Sequence, residues 1–514
     1  MIRSAVSRPK GPKLRILFPF ALLAVAATAV PASAEWQRAS SPHFIIYANE
    51  SPDKLRAFAE KLERFDKGVR IARSMKDPPV GDGGRLTVLV VPGVLDVMML
   101  QPGVGGNAAG FYTPRYWGSV AVVPRLLASN SSTTPETIFF HEYAHHLMFS
   151  DLSTPIPAWL VEGFAEFMST AEIHKDGAVG LGAGAVHRAS TLRKPDRAQV
   201  PLSVLLSGER LRTNAEISAL YARGWLLAHY LTFSSARRGQ IETYLGAIAG
   251  GKSQRDAARA AFGDLARLDQ ELDAYLKANR LPYLTIPASQ VTIGAVTVEP
   301  VGPGSKEYVP LMMKIQVGVD KSGRARLAAD ARRLAARYPA DRQMAMILAS
   351  AEIYNDDFVA GDAAADRAVA LNPNSAEALI QKARALTGRA KAGDKAVTFT
   401  NVRGVANRAN RLDPENPEPL VLFYRSFVDE KTRPTGNAIS ALHYAADLAP
   451  HDMRLRLDSA RLYLADGKPA LARKRLVPLA YNPHGGKMAE EAQALIARID
   501  GGSATPAVPS GTRK

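Results

Sequence analysis

The first half of the chain mixes two hydrophobic periods, one typical of strands and one typical of helices. Segments 43–48 and 85–92 are short apolar runs rich in β-branched residues, which predicts two strands. Between them, apolar residues recur every three to four positions behind Ser51, and this pattern predicts a capped helix. Segment 110–124 predicts two further strands joined by a turn that contains Pro and Gly. This order predicts an α+β region in which a histidine-bearing helix follows the sheet.

The second half is rich in Ala, Leu and Arg and keeps a helical period from about residue 309 onward. Five proline motifs close helical runs there: RYPAD, LNPNS, LDPEN, LAPHD and YNPHG. Their prolines are Pro339, Pro373, Pro414, Pro450 and Pro483, which lie 34, 41, 36 and 33 residues apart. Helix pairs that close on proline at this spacing predict stacked repeats, with an irregular helical bundle as the alternative. Stacked pairs offer a concave surface to a partner protein or to the neighbouring domain.

The repeat spacing resembles the tetratricopeptide repeat over residues 325–500, loosely in the third unit, where KAGDKAVTFTNVRG lengthens the period. The change of composition near residue 285 predicts a domain boundary, so the first domain is predicted to span 35–285. Residues 286–324 are rich in Pro, Gly and β-branched residues and are predicted to be a linker with short strand-like elements. Residues 501–514 are polar, contain Pro and Gly, and are predicted to be a disordered tail.

The N-terminus has the pattern of a secretory signal peptide. Five Lys and Arg residues precede the apolar segment 16–30, and Ala-Ser-Ala at 32–34 offers a cleavage site, so residues 1–34 are the predicted signal. A retained anchor is the alternative, but fifteen apolar residues interrupted by Pro19 are short for a bilayer. No other segment is long and apolar enough to span a membrane. We therefore expect an exported protein, periplasmic or secreted, with no transmembrane segment once the signal is removed.

Charge and composition narrow the possible partners and ligands. The formal net charge is +16, and removing the five cations of the signal leaves about +11, spread along the chain. A basic surface is attracted to anionic polymers and membranes. No run of Arg and Lys is interleaved with aromatic residues and no nucleic-acid motif is present, so a nucleic-acid partner is not expected. Because the chain has no cysteine, any metal site must use His, Asp or Glu.

The segment PETIFFHEYAHHLMFSD, which begins at Pro135, contains the pattern HExxH. Residues four apart on a helix share one face, so His141 and His145 can both bind one zinc ion. Glu142 lies about 100° around the helix from His141, where it can act as the base for a zinc-activated water. Apolar neighbours on both sides indicate a buried helix. The HExxH motif provides only two ligands, so the prediction of a zinc site also requires a third.

Two residues are candidates for the third ligand. Asp151 has the spacing of the extended pattern HExxHxxGxxH, but Met148 replaces the glycine that turns the chain, so we discount Asp151. Glu162 lies in IPAWLVEGFAEFMS, where prolines end the first helix and a second one starts, and it can return to the metal as an oxygen ligand. Glu166, four residues later on the same face, can support a histidine ligand from the second shell. The alternative is that both glutamates are exposed helix charges.

HExxH followed by WLVEGFAEF resembles the gluzincin metallopeptidases of the peptidase-MA-like superfamily, and the likeness covers about residues 36–280. The resemblance implies a zincin-like domain with His141, His145 and Glu162 as zinc ligands and Glu142 as general base. The predicted fold class is therefore an α+β zincin-like N-terminal domain followed by an all-α domain of tetratricopeptide-like helical repeats.

The resemblance extends to a tyrosine and to an edge strand. YARGWLLAHYLTF is similar to the tyrosine-bearing helix of the family, which implies that Tyr221 donates a hydrogen bond to the oxyanion of the intermediate. Lysine is common in the family where Arg223 stands, and a core aromatic is the alternative interpretation of Tyr221. The family also binds extended peptide at an edge strand. The segment NAAGFY (107–112) is the candidate here, with Gly110, Phe111 and Tyr112 as predicted substrate-binding residues.

These patterns predict an exported Zn²⁺-dependent metallopeptidase acting on a peptide or protein substrate. One alternative is a non-catalytic zincin-like scaffold whose helical repeats bind a protein partner. Another is a zinc hydrolase acting on cell-wall material. His146 is predicted to be a packing or surface residue rather than a ligand. His229 is predicted to be structural, with a position facing the cleft as the alternative, and GAVGLGAG is predicted to be a mobile loop or hairpin near the site.

Overall fold

The apolar β-branched runs of the first half are strands in the structure, which is a computed structural model. The structure describes residues 35–77, 80–100, 110–127, 133–151, 155–193, 200–209, 211, 213–278, 280–482 and 485–501. The predicted signal peptide, residue Pro483 and nearly all of the predicted tail lie outside the described residues. The strands are β1 (Gln37–Ser40), β2 (Phe44–Ala48), β3 (Leu86–Gly93), β4 (Phe111–Thr113), β5 (Val120–Leu126), β6 (Glu172–Ile173), β7 (Val179–Leu181), β8 (Leu284–Ile286) and β9 (Thr297–Pro300).

The helix predicted behind Ser51 is present and Ser51 occupies its N-cap position, but the Ser51 side chain makes no capping hydrogen bond. The helices before the repeats are α1 (Pro52–Ala72), α2 (Val94–Leu100), α3 (Pro135–Asp151), α4 (Ala158–Ser169), α5 (Ala189–Arg193), α6 (Leu202–Leu205), α7 (Asn214–Phe233), α8 (Gln240–Ala249), α9 (Gln254–Phe262), α10 (Leu265–Leu276) and α11 (Ser305–Val317). The order confirms a mixed α/β first region in which the histidine-bearing helix α3 follows strands of the sheet.

Among the described residues, six strands form one mixed sheet in the order β4-β5-β3-β2-β1-β9. Strands β2, β3 and β5 are parallel, because α1 provides the crossover from β2 to β3. Strand β4 is antiparallel to β5 and lies at the edge of the sheet. A smaller antiparallel sheet joins β6, β7 and β8. The edge strand β4 therefore lies beside the strand that precedes α3.

Successive residues of the central strands belong to two different cores, since side chains alternate between the faces of a sheet. Ile46 and Val88 pack on one face with α1, α3 and α4, whereas their neighbours Tyr47 and Leu89 pack on the other. The second face is covered by α11, through residues that include Met312. Both faces are thus buried, which explains the nearly continuous apolar runs of β3 and β5.

The predicted linker, 286–324, contributes to the folded sheet. Strand β9 pairs antiparallel with β1, with Gln37 opposite Pro300, and helix α11 covers the second face. The sequence pattern missed β1, which is only four residues long and carries Arg and Ser at alternate positions. Residues near both ends of the α/β region therefore complete one sheet.

The second half is all helical within the described residues, as predicted, and its proline motifs lie between helices. These helices are α12 (Lys321–Arg337), α13 (Arg342–Tyr354), α14 (Phe358–Leu371), α15 (Ala376–Lys391), α16 (Phe399–Leu412), α17 (Pro417–Asp429), α18 (Gly436–Leu448), α19 (Met453–Ala465), α20 (Pro469–Ala480) and α21 (Gly486–Asp500). In four of the motifs, the residue two positions after the proline is the N-cap of the next helix, and its side chain accepts a hydrogen bond from a backbone N–H of that helix. These caps are Asp341, Ser375, Asn416 and Asp452. Across the described ranges, none of the helices combines the length and the apolar character needed to cross a membrane.

The repeats pack back onto the α/β region at the start of α19, through its N-cap and its first turns. Asp452 accepts a hydrogen bond from the backbone N–H of Tyr116, in the turn between β4 and β5, at 2.9 Å. Nη1 of Arg456 donates to the carbonyl of Phe149 in the last turn of α3, at 3.2 Å. The chain from Glu35 onward accordingly forms one compact unit.

We expect Asp452→Ala to destabilise the protein more than an ordinary cap deletion, because Asp452 serves two elements. One of its oxygens caps α19 at Leu455, 2.8 Å away, while the other bonds to Tyr116. Losing both bonds should lower the free energy of unfolding by about 2 kcal/mol. Asp341→Ala, which removes a cap only, should cost about 1 kcal/mol in the same urea titration. Equal losses in the two variants would contradict a docking role for Asp452.

Candidate metal centre

Helix α3 presents the two motif histidines on one side while its apolar residues anchor the helix. Phe139, Phe140 and Leu147 are almost completely buried in the core beneath the sheet. Because His141 and His145 are one helical turn apart, their rings point the same way, and their Nε2 atoms lie 3.2 Å apart. The helix continues through Asp151, as expected when Met148 replaces the glycine of the extended pattern.

Helix α4 brings Glu162 to these two rings. Pro157 is the N-cap of α4, so the chain turns between the two helices as the prolines predict. The Glu162 side chain is fully buried, and its Oε2 lies 3.5 Å from Nε2 of His141 and 3.5 Å from Nε2 of His145. The structure therefore brings together the three predicted metal-ligating residues, although Glu162 is seventeen positions after the second histidine.

The spacing of these three atoms fits a zinc ion. Ligand atoms about 2.0 to 2.1 Å from a tetrahedral zinc lie about 3.3 Å from one another. The separations here, 3.2, 3.5 and 3.5 Å, match that edge length. Two imidazole nitrogens and one carboxylate oxygen are also a known catalytic zinc donor set, which leaves one position for water or substrate.

Electrostatics at these donors favour a bound cation. Burial disfavours a charged His141 ring, but hydrogen bonds to Glu162 and Glu166 outweigh it and raise the pKa of His141 to about 10. The two carboxylates thus stabilise positive charge at this position. A metal ion bound to His141 would take the place of that proton, as metal binding generally requires.

Glu166 contacts the Nδ1 side of the His141 ring, opposite the Nε2 atom that faces the other donors, as predicted. Its Oε1 lies 3.2 Å from Nδ1 of His141, an arrangement that fixes the ring and leaves Nε2 toward the other donors. Nε2 of His187 lies 2.8 Å from Oε2 of Glu166, and Nε of Arg188 donates to the same oxygen at 2.9 Å. Burial alone would raise the pKa of Glu166, but bonds from Arg188, His141 and His187 lower it far below its usual range. Glu166 is therefore a buried, fully ionised carboxylate.

Sequence reasoning missed His187 and Arg188. They follow the glycine-rich segment GAVGLGAG, part of which is β7, a buried strand paired with β6 in a hairpin. The predicted hairpin is thus present. The short turn after it places the side chains of His187 and Arg188 against Glu166. The dipeptide His-Arg has no spacing rule relative to HExxH, so no sequence signal identifies it.

Helices α4 and α7 cross at two glycines, and this crossing brings Tyr221 to the site. A Cβ on Gly163 would overlap the carbonyl oxygen of Gly224, and a Cβ on Gly224 would lie 2.7 Å from the carbonyl oxygen of Trp159. Only glycine allows the two backbones to approach this closely. Gly163 follows Glu162 directly and Gly224 comes three residues after Tyr221, so the contact sets the position of both functional side chains.

The Tyr221 ring lies beside the candidate metal ligands. Its centroid is 5.8 Å from that of the His141 ring, and the guanidinium of Arg188 lies over its face at 5.0 Å. Burial and the nearby charges of Glu162 and Glu142 raise the pKa of Tyr221 well above its usual value. The hydroxyl therefore stays protonated at neutral pH and can donate a hydrogen bond. Glu142 itself is half-buried on α3, next to His141.

The predicted substrate-binding segment is only partly described, because residues 107–109 lie outside the described residues. Gly110 passes close to α3, where a Cβ would lie 3.0 Å from Cγ2 of Ile138. Phe111 is buried in the second core, and the hydroxyl of Tyr112 lies 2.6 Å from Nδ1 of His146. Both side chains are thus engaged with the protein itself.

The other two histidines noted in the sequence have packing roles. His146 bonds to Tyr112 and lies against His451 of the repeats, with ring centroids 4.7 Å apart. His229 is fully buried; its Nε2 donates to the carbonyl of Gly182, and its Nδ1 lies 2.9 Å from the hydroxyl of Tyr275. Burial lowers the pKa of His229 to about 4. Neither ring belongs to the donor set.

A second cluster of possible ligands, His43, Asp66 and Asp77, was not predicted. Lys67 pairs with Asp77 at 2.7 Å and Arg70 with Asp66 at 2.7 Å, so the carboxylates already have cationic partners. Asp66 also accepts a hydrogen bond from Tyr143 of α3, at 2.8 Å. The cluster is electrostatically balanced and ties α1 to the motif helix.

Comparison with known proteins adds little to this geometry. No protein-family profile matches the chain, and no curated protein is significantly similar to it in sequence. Among solved structures, one match is "MamA RS-1 ArsTM double mutant", at 13% identity and a TM-score of 0.27, covering 39% of this chain and 97% of that one. A match at this level supports no conclusion about the present protein.

Proposed function

We propose that this protein is an exported zinc metallopeptidase with a zincin-like α/β region of the gluzincin type and tetratricopeptide-like repeats. The observation that carries the proposal is the convergence of His141, His145 and Glu162 at separations that suit tetrahedral zinc. Export rests on the signal-like pattern of residues 1–34.

The residues around the donor set have the roles that peptide hydrolysis needs. When bound, zinc lowers the pKa of water and polarises a carbonyl group. Glu142 would accept a proton from the attacking water and pass it to the leaving amine. Tyr221, held protonated, would donate a hydrogen bond to the developing oxyanion. Glu166, fixed by Arg188 and His187, would hold the His141 ring in place.

The substrate would be an extended peptide. An exposed strand edge offers unpaired backbone groups that pair with an added strand, and β4 is such an edge next to α3. The part of this edge from Gly110 to Tyr112 would pair with the substrate backbone. The repeats would bind a further protein partner, since stacked helix pairs provide extended concave surfaces.

The proposal is tested by metal content. Purified protein dialysed against buffered zinc should hold about one zinc per chain by elemental analysis. Glu162→Ala should lose most of it, because removing a direct ligand costs more than the roughly 10- to 100-fold loss of affinity typical of outer-shell changes. Glu172→Ala, an exposed glutamate on β6, is the matched control and should keep the metal.

A folded protein that takes up no zinc would overturn the metallopeptidase proposal and leave the non-catalytic scaffold. Zinc uptake that is equal in Glu162→Ala and wild type would place the metal elsewhere. If zinc is bound as expected but cell-wall polymers are hydrolysed and peptides are not, the proposed substrate class is wrong while the zinc site stands.

A further inference from the structure

A large opening between the sheet and the repeats is lined by none of the candidate metal ligands. A cavity of about 400 Å³ separates the second face of the sheet from the inner helices α13, α15 and α17. Arg38 and Tyr47 of the sheet line one side, and Gln343 and Gln381 of the repeats line the other. Sites for small molecules typically measure about 300 to 1,000 Å³, so the cavity is large enough for one.

The lining is rich in arginine. Five arginines and three glutamates line the cavity, and they are Arg38, Arg85, Arg115, Arg342, Arg384, Glu299, Glu377 and Glu418. Some of these charges neutralise one another: Arg38 pairs with Glu299 at 3.0 Å, and Arg384 pairs with Glu418. The formal charge of the lining nevertheless remains positive by two.

Arg115 carries part of that excess charge. Its guanidinium donates to the carbonyls of Gln316 and Val317 at the end of α11, and within the described part of the chain no carboxylate lies at ion-pairing distance. Burial lowers the pKa of Arg115, and the charge of Asp452, which is not within ion-pairing distance, offsets this only in part. Arg115 thus has no close anionic partner. An anion in the cavity would supply that partner.

The repeats contribute two buried amide oxygens. Oε1 of Gln343 and Oε1 of Gln381 are inaccessible to solvent and have no hydrogen-bond partner among the described residues. A buried acceptor without a donor destabilises a protein unless a ligand or water satisfies it. Both residues line the cavity, so a half-turn of the terminal amide would bring either oxygen to the cavity. A ligand that fits the cavity should therefore carry hydrogen-bond donors as well as negative charge.

We propose that this cavity binds a small organic anion that combines carboxylate groups with a hydroxyl group. The carboxylates would face the arginines, chiefly Arg115, and the hydroxyl would donate to Gln343 or Gln381. Because the sheet and the repeats each supply part of the lining, such a ligand would join the two regions. The proposal does not depend on the peptidase activity, since none of the metal-ligating residues lines the cavity.

The test is calorimetric titration of the metal-free protein with citrate, and in parallel with tricarballylate and sulfate at equal ionic strength. Tricarballylate has the three carboxylates of citrate but no hydroxyl. We expect saturable binding of citrate to one site per chain, with tricarballylate roughly two- to tenfold weaker. Sulfate should produce no saturable heat. Failure of citrate to bind at millimolar concentration, or an equal response to sulfate, would overturn the proposal.

Two variants and a control locate the bound anion. Arg115→Gln keeps most of the side-chain volume and should weaken citrate binding roughly ten- to hundredfold. Gln381→Leu should weaken citrate severalfold while raising the thermal midpoint of the ligand-free protein, because the unpartnered oxygen is removed. Arg326→Gln, an exposed arginine on α12, should change neither quantity.

The citrate affinities of these variants decide whether the anion binds in this cavity. Citrate binding that both cavity variants retain in full would place the anion elsewhere and contradict the proposal. If Arg115→Gln does not fold, Gln381→Leu alone decides. Glu162→Ala should bind citrate like the wild type, so the failure of this proposal and the failure of the zinc proposal are distinguishable.

Discussion

Glu142→Gln should abolish peptide hydrolysis while leaving the metal in place. The amide has nearly the size of the carboxylate but cannot accept a proton from water. General acid–base groups typically contribute roughly a hundred- to ten-thousandfold to the rate, so kcat should fall by that factor. Glu142 is not among the three converging donors, so the zinc content should stay at the wild-type level. A mixture of fluorogenic peptides, assayed next to elemental analysis, measures both quantities.

A matched control is available on the same helix. Glu136, in the first turn of α3, pairs with Lys61 at 2.9 Å and lies more than a helical turn before His141. Glu136→Gln should therefore keep both zinc and activity. Hydrolysis that survives in Glu142→Gln would exclude Glu142 as the base. Loss of zinc in that variant would mean that Glu142 helps to bind the metal.

Gly163→Ala should damage the fold and the site together. The added methyl group would overlap the carbonyl of Gly224, a backbone atom that cannot rotate away, so α4 and α7 must separate. We expect the free energy of unfolding to fall by about 3 kcal/mol, the upper part of the usual range for overpacked cores. Because Glu162 and Tyr221 lie on the two separated helices, zinc content and activity should fall as well.

Gly246→Ala is the control for this change. Gly246 lies in the exposed part of α8, and nothing is within 4 Å of a Cβ built there. Alanine favours helix over glycine by up to about 1 kcal/mol, so this variant should be slightly more stable than the wild type. Urea titrations of both variants measure the difference. If Gly163→Ala is also stabilising, the close crossing of α4 and α7 does not constrain the site.

Short-range patterns accounted for the elements that carry the candidate metal centre. The spacing of His141 and His145 follows from the pitch of a helix, which depends only on hydrogen bonds four residues apart. The proline motifs likewise predicted helix ends, because proline and the capping residue two positions later act within one turn, as at Asp341. These predictions needed no knowledge of the rest of the chain.

The linker prediction shows where composition is insufficient. The composition of residues 286–324 predicts a linker with short strand-like elements, and β9 is such a strand. What the composition does not predict is its pairing with β1, about 260 residues earlier. The pairing of two short strands depends on whether the sheet leaves an open edge beside β1. Nothing within either segment encodes that edge, so no local pattern could have predicted it.

The sequence by itself determined the helices, their ends, the facing histidines and the acidic residues that could join them. The tertiary structure decided which of these meet: Glu162 through the start of α4 at Pro157, Tyr221 through the glycine crossing, and Arg188 through a buried hairpin. It also placed the repeats over the sheet and so created the arginine-lined cavity. The physical reason is range. Backbone hydrogen bonding and capping act over a few residues, whereas the meeting of distant side chains depends on how whole elements pack.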